Sequence, residues 1–349
     1  MSHWKLTLAY DGTPYRGWQI QPNLPTVQGL LSDAIQRTTG ERVLPQGSGR
    51  TDAGVHALAQ VASFTLAAPI PAANLHRALN RCLPPSIRVL AVEAVPPTFH
   101  ARHSALGKTY EYRIFPLCAT PQKGPSLERG PSFWPTARIS VVAPHDPTNL
   151  DAESSPTNNV EHTTHNEDRI CPPTLAPYVW PCPWPLSLDA LNRAAAHVLG
   201  THDFTSFAAA DPDLTHRIQS PTEPGAPSYP VSSDRVGYSR PAPGAPFIAP
   251  LSHAMSGSAA SEPIRTVTHS QWHAADSLLI YRVTANGFLH HMVRNLVGTF
   301  VQCGAHRLDP AAIPTLLAAR NRALAGPTAP PSGLFLVSVD YPGPPAPLS

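Results

Sequence analysis

The chain has almost no surplus of charge of either sign. Twenty-five Lys and Arg oppose 23 Asp and Glu, a net of +2 over 349 residues. Many nucleic-acid binders are strongly basic, so composition alone does not point to one. A local basic surface remains open, and the 17 histidines can add positive charge at lower pH. Cysteine is scarce as well. Cys82, Cys118, Cys171, Cys182 and Cys303 are an odd number with no CxxC pair. That argues against a disulfide framework and against a cysteine zinc site, and it fits a reducing compartment. The N-terminus MSHWKLTLAYDG lacks a signal-peptide apolar core. No run approaches the ~20 apolar residues of a membrane span. A cytoplasmic location with no membrane partner is therefore expected.

Proline is abundant, with 43 residues concentrated in two tracts. One runs from about Pro116 to Pro185, the other from Gln219 to Pro263. Neither sustains a period of 2 or 3.6, and both are rich in Pro, Ser, Asn and Gly, so both read as loosely attached or disordered inserts. His145, His162 and His165 in the first tract are spaced too irregularly for a metal site. No metal is expected.

Outside the tracts the patterning is regular. Lys5–Tyr10 alternates as a strand and turns at Asp11-Gly12-Thr13-Pro14. Val27, Leu30, Leu31 and Ile35 recur at helical spacing between an N-cap at Thr26 and a stop at Gly40. Strands are expected at Leu58–Leu66, Ile87–Val92, Thr109–Phe115, Ser277–Thr284 and Leu334–Val339. Helices are expected at Leu75–Leu83, Leu186–Leu199, Phe288–Val301 and Ala311–Ala319. Strand–helix–strand units in both halves predict an α+β protein of two lobes. The boundary falls in the connector Phe99–Leu106, giving lobes over residues 1–104 and 105–349, the second interrupted by the inserts.

The richest stretch is GSGRTDAGVHA at residues 47–57. It sets Asp52 between Arg50 and His56, with Gly47, Gly49 and Gly54 allowing tight turns and close approach to a ligand. A carboxylate held beside an arginine suits a nucleophile or electrostatic stabiliser better than a general acid. By its residues alone, the stretch is equally a Gly-rich turn with Asp52 as a capping group.

Nine consecutive residues, GRTDAGVHA (Gly49–Ala57), resemble the catalytic loop of the TruA family of tRNA pseudouridine synthases. Five further segments resemble that family in the same order. They are KLTLAYDGTPYRGWQIQPNLPTVQGLL (Lys5–Leu31), FHARHSALGKTYEYRI (Phe99–Ile114), THDFTSF (Thr201–Phe207), ANGFLHHMVRNLVGTFVQCG (Ala285–Gly304) and PPSGLFLVSVDYP (Pro330–Pro342). One departure is Gly287, where the family carries a larger or hydroxyl residue, which is expected to soften the start of the following helix.

The resemblance implies the pseudouridine synthase fold, two similar lobes with largely antiparallel sheets around a central catalytic cleft. It implies conversion of uridine to pseudouridine at positions 38, 39 and 40 of the tRNA anticodon arm, without a cofactor, by a homodimer that binds each tRNA across both subunits. DNA is not an expected partner. Asp52 would act at the glycosidic step, Arg294 would be its basic partner, and Tyr110 would stack on the flipped base. Leu334 would pack on the base's other side. Arg50 would either insert into the stem as the base leaves or pair with Asp52. His56 closes the motif as a further substrate-binding candidate. Of Tyr110 and Tyr112, one is expected to face the cleft and the other, on the opposite side of the strand, the core. Adjacent His290 and His291 on a helix would point about 100° apart, one toward RNA backbone or Asn295 and the other into packing. Arg102, His103, Lys108 and Arg113 are candidates for phosphate contacts.

Two rivals remain. A glycoside or nucleoside hydrolase would need a second, paired carboxylate. A silent tRNA-binding module or folding chaperone would need no Asp52 at all.

Overall fold

The computed structural model describes residues 1–118, 169–209 and 262–343. His145, His162 and His165 lie outside these, as does most of both proline-rich tracts. The described strands form one ten-stranded sheet. In chain order they are β1 (Ser2–Tyr10), β2 (Gln46–Gly47), β3 (His56–Leu66), β4 (Ile87–Val95) and β5 (Gly107–Pro116), then β6 (Trp180–Cys182), β7 (Gly200–Asp203), β8 (Ile264–Ala275), β9 (Leu278–Ala285) and β10 (Leu334–Asp340). The spatial order is β4-β1-β3-β10-β5-β9-β8-β7, with β2 on β3 and β6 on β5. Pairing is antiparallel except at β3/β10 and β5/β6. The architecture is thus mixed α+β on a largely antiparallel sheet.

The last strand is the joint of the sheet. β10 joins strands from the first hundred residues to those of the remainder. It meets β3 through two register pairs only, Phe335 with His56 and Leu336 with Ala57. The Asp52 loop enters β3 at this joint.

Among the described residues, five α-helices cover the sheet: α1 (Val27–Thr39), α2 (Ala72–Cys82), α3 (Leu188–Ala196), α4 (Met292–Gly304) and α5 (Ile313–Ala319). In α1 the Thr26 side chain accepts from the Gly29 amide, and Gly40 ends the helix in the left-handed region, as the sequence predicts. Val27, Leu31, Ala34 and Ile35 are the buried stripe. α2 packs on α1 and β4, and α3 packs on α4 and β8. Most of α4 is buried, including Leu296, Val297 and Phe300.

Several elements differ from the sequence reading. β8 was not anticipated, because its burial follows no clean alternation and it begins directly after the second proline-rich tract. Residues 169–185, inside the first tract, are built into the fold rather than loosely attached. A 3₁₀ turn at Ala176–Tyr178 leads into β6, and Val179 and Cys182 are fully buried. Three residues are too few for a strand period to show, and proline is tolerated in so short a strand at a sheet margin. α4 begins at Met292, four residues later than predicted, so Gly287 precedes the helix and cannot soften it. Tyr110 and Tyr112 are both buried. Two residues apart on one strand, they share a face, and the expectation of opposite sides fails on the period of two.

Candidate active site

The Asp52 loop is held from several directions. The Trp18 amide donates to the Thr51 carbonyl at 2.9 Å, and the Gly54 amide to the Tyr15 carbonyl at 3.3 Å. Tyr10 and Thr51 share a buried hydroxyl hydrogen bond of 2.8 Å, and burial raises the Tyr10 phenol to about 12. The segment Gly12–Trp18 therefore clasps the loop. A Cβ on Gly12 would stand 2.0 Å from the Val55 carbonyl oxygen, so only glycine permits the clasp.

Below the loop, Lys108 donates from Nζ to the Ser48 carbonyl at 2.6 Å. Burial lowers its ammonium from the ordinary 10.5 to about 8, with Arg102 and Arg265 acting in the same direction. Between those two values the unfolded chain holds a proton that the folded chain has released. Stability therefore rises with pH across that window, and below about pH 8 the penalty is constant. The difference in unfolding free energy between wild type and Lys108→Met should move in favour of wild type from pH 8 toward 10.5. Urea titrations at several pH values check this, and a flat difference refutes it.

Across the sheet joint, α4 supplies the partner of Asp52. Arg294 Nη1 donates to Asp52 Oδ2 at 3.0 Å, linking residues 242 apart in sequence. Its Nε donates to the Ala329 carbonyl at 2.8 Å, which fixes the guanidinium plane. The backbone near Ala329 can approach α4 because position 298 is glycine. A Cβ there would stand 1.7 Å from the Pro327 carbonyl oxygen. The side chains of Arg294 and Asp52 are 13% and 21% exposed, so the pair is mostly shielded yet open to a ligand.

His290 and His291 also face Asp52. His290 Nε2 lies 3.5 Å from Oδ1 and His291 Nε2 lies 3.2 Å from Oδ2. The expectation that they point apart is overturned. His291 has φ +58 and precedes the helix, so helical spacing does not apply, and the rings stand 4.0 Å apart. Burial lowers the His291 imidazole below the usual histidine range, although the Asp52 charge pulls it upward. Asn295 donates its backbone amide to the His291 carbonyl at 2.9 Å. It is fully buried, donates to the Phe207 carbonyl at 2.7 Å and accepts from Arg322 and Thr328. It ties the THDFTSF segment and the chain after α5 to the arginine helix. The sequence signal available for it was a polar residue inside an otherwise apolar helix.

Tyr110 is 8% exposed, packs edge-on to Phe288 at 5.0 Å, and has its phenol raised by burial, by Tyr10 and by the Asp52 charge. Leu334 starts β10, is buried, and pairs in register with Tyr112, while Leu336 is opposite Tyr110. Arg50 is exposed on the Asp52 loop. His56 lies elsewhere, 1% exposed, stacked on Phe335 at 4.7 Å, beside Asp11 and accepting from the Gly12 amide. Burial lowers its imidazole, against the pull of Asp11. It supports the loop from beneath. Of the phosphate candidates, Lys108 is turned to Ser48 and Arg113 is paired with Glu111 at 2.8 Å, whereas Arg102 and His103 are exposed.

The assembled site is one carboxylate, fixed by a guanidinium and flanked by two imidazoles, with buried aromatic and aliphatic side chains on the adjoining strands. Among the described residues, the donor cluster contains a single carboxylate. That counts against a hydrolase built on a carboxylate pair.

Comparison with known proteins shows the family. The tRNA pseudouridine synthase family profile matches residues 7–104 and 252–342. Proteins named tRNA pseudouridine synthase A are similar over nearly the full chain. That of Solibacter usitatus is 35% identical over 97% of this chain and 98% of its own. That of Moorella thermoacetica is 35% identical over 97% and 98%, and that of Nitratidesulfovibrio vulgaris 34% over 98% and 100%. The chain belongs to the tRNA pseudouridine synthase family. Among the described residues, no helix is long and apolar enough to cross a membrane.

Proposed function

We propose that this chain isomerises uridine to pseudouridine in tRNA, at positions 38, 39 and 40 of the anticodon arm, with Asp52 as the reacting carboxylate. The reaction breaks the N1–C1′ bond and forms a C5–C1′ bond. The C5 proton is lost and N1 gains one, so nothing is oxidised and no group leaves the product. The observation that carries this reading is the ion pair of Asp52 with Arg294, 3.0 Å long and fixed by Ala329, inside the family's catalytic motif.

Each role follows from position. Asp52 acts at the glycosidic step as nucleophile or base. Arg294 holds it oriented. Tyr110 stacks on the flipped base, a contact of about 1–3 kcal/mol per base. Leu334 closes on the other face, and Arg50, exposed on the same loop, fills the gap that the base leaves in the stem. His56 positions the loop, so its contribution to substrate binding is indirect. Residues 1–104 and the described part of 105–349 form two lobes with the cleft between them, and water exclusion there keeps the detached uracil from escaping. A homodimer in the cytoplasm, each tRNA spanning both subunits, offsets the weak charge of one chain.

Transcripts of an anticodon arm carrying C5-tritiated uridine at 38, 39 or 40 alone test the site. Release of tritium from each is expected. Absence of release from all three would overturn the assignment.

A further inference from the structure

The site carries more donors than the isomerisation uses. Asp52, His290 and His291 offer one carboxylate oxygen and two imidazole nitrogens, all within 4.8 Å of one another. Nitrogen and oxygen ligands of this kind suit Zn²⁺, which holds them at about 2.1 Å, and ligands around a tetrahedral centre then stand about 3.4 Å apart. The His290–Oδ1 and His291–Oδ2 separations are 3.5 and 3.2 Å. The left-handed backbone at His291 sets both rings on one side of the chain, so little rearrangement is needed.

The three side chains are 21–29% exposed, so an ion from solvent can reach them and a fourth position is left for water. Arg294 on Oδ2 opposes a second cation. The result is an exchangeable site rather than a structural one, with the Asp52 carboxylate and the two imidazoles as its donors.

We propose that Asp52, His290 and His291 bind one divalent transition-metal ion of the zinc type, and that the bound ion closes the site by occupying the carboxylate. The binding half stands on geometry alone. The closing half rests on Asp52 being the reacting carboxylate. Mg²⁺, which prefers an octahedron of oxygens, is not expected to compete.

The test uses the full chain freed of metal by a chelator, with Co²⁺ as the spectroscopic probe. Wild type should develop a saturable visible absorption at one ion per chain, displaced by Zn²⁺ and not by Mg²⁺. His290→Ala, His291→Ala and Asp52→Asn, each checked for folding by circular dichroism, should each weaken binding beyond the about 10–100-fold that even an outer-shell change costs. A signal that survives in all three folded variants belongs to other histidines and overturns the site, as does no signal in wild type. Tritium release is then followed with added Zn²⁺. Inhibition reversed by the chelator is expected, and binding without inhibition overturns the closing half. Absence of release in metal-free wild type would instead defeat the proposed function, leaving the absorption result to decide the metal site.

Discussion

Asp52→Ala is expected to abolish tritium release from C5-labelled anticodon-arm uridine while leaving tRNA bound. Among the described residues the carboxylate is the only acidic member of the central donor cluster, so no described neighbour can take its place. The loss should reach at least about 10⁴-fold, the upper range for one positioned acid–base group. Its backbone surroundings do not depend on the side chain. The loop is clasped by main-chain bonds from Trp18 to Thr51 and from Gly54 to Tyr15, which the substitution leaves in place. A cooperative unfolding transition, lowered only by the lost pair with Arg294, and an unchanged gel-shift affinity would assign the loss to chemistry. Residual activity within tenfold of wild type would move the reacting group elsewhere, and a wild type that binds without releasing tritium would favour a silent binding module.

Arg294→Met should give the second largest effect. Removing one partner of a buried ion pair costs about 3–5 kcal/mol, whereas an exposed pair is worth under about 1 kcal/mol. At 13% and 21% side-chain exposure this pair lies closer to the buried case. We expect a loss of about 3 kcal/mol in transition-state stabilisation, or about a hundredfold in kcat/KM. The substitution also abandons the Ala329 carbonyl, so stability should fall in parallel. Arg294→Lys separates the two effects. Lysine keeps the charge but not the fork that spans Asp52 and Ala329, so it should recover only part of the rate. A rate unchanged in Arg294→Met, with stability alone reduced, would make the arginine a structural strut.

Much of this protein is legible in one dimension because local physics repeats along the chain. The stripe of Val27, Leu31 and Ile35, the Thr26 cap and the Gly40 stop specify α1 before any tertiary contact exists. The alternation of β1 and β9 does the same for strands. The motif residues around Asp52, Tyr110 and Arg294 carry the family resemblance without any fold in hand. What fails is equally local in origin. β6 is three residues long, and a period cannot be read from three residues. His290 and His291 looked helical because apolar spacing continues through them, and nothing in that spacing discloses a left-handed residue at 291.

The sequence by itself determined which residues could do chemistry and which segments could form elements, since both are properties of side chains and their spacing. Only the tertiary structure decided which of them meet. It turned Lys108 and Arg113 inward and placed His56 beneath the loop. It brought a helix 242 residues away onto Asp52 with two imidazoles beside it. The reason is that such contacts depend on long-range register. β10 must join β3 and β5 before the Asp52 loop and the arginine helix face each other, and no local pattern encodes that pairing.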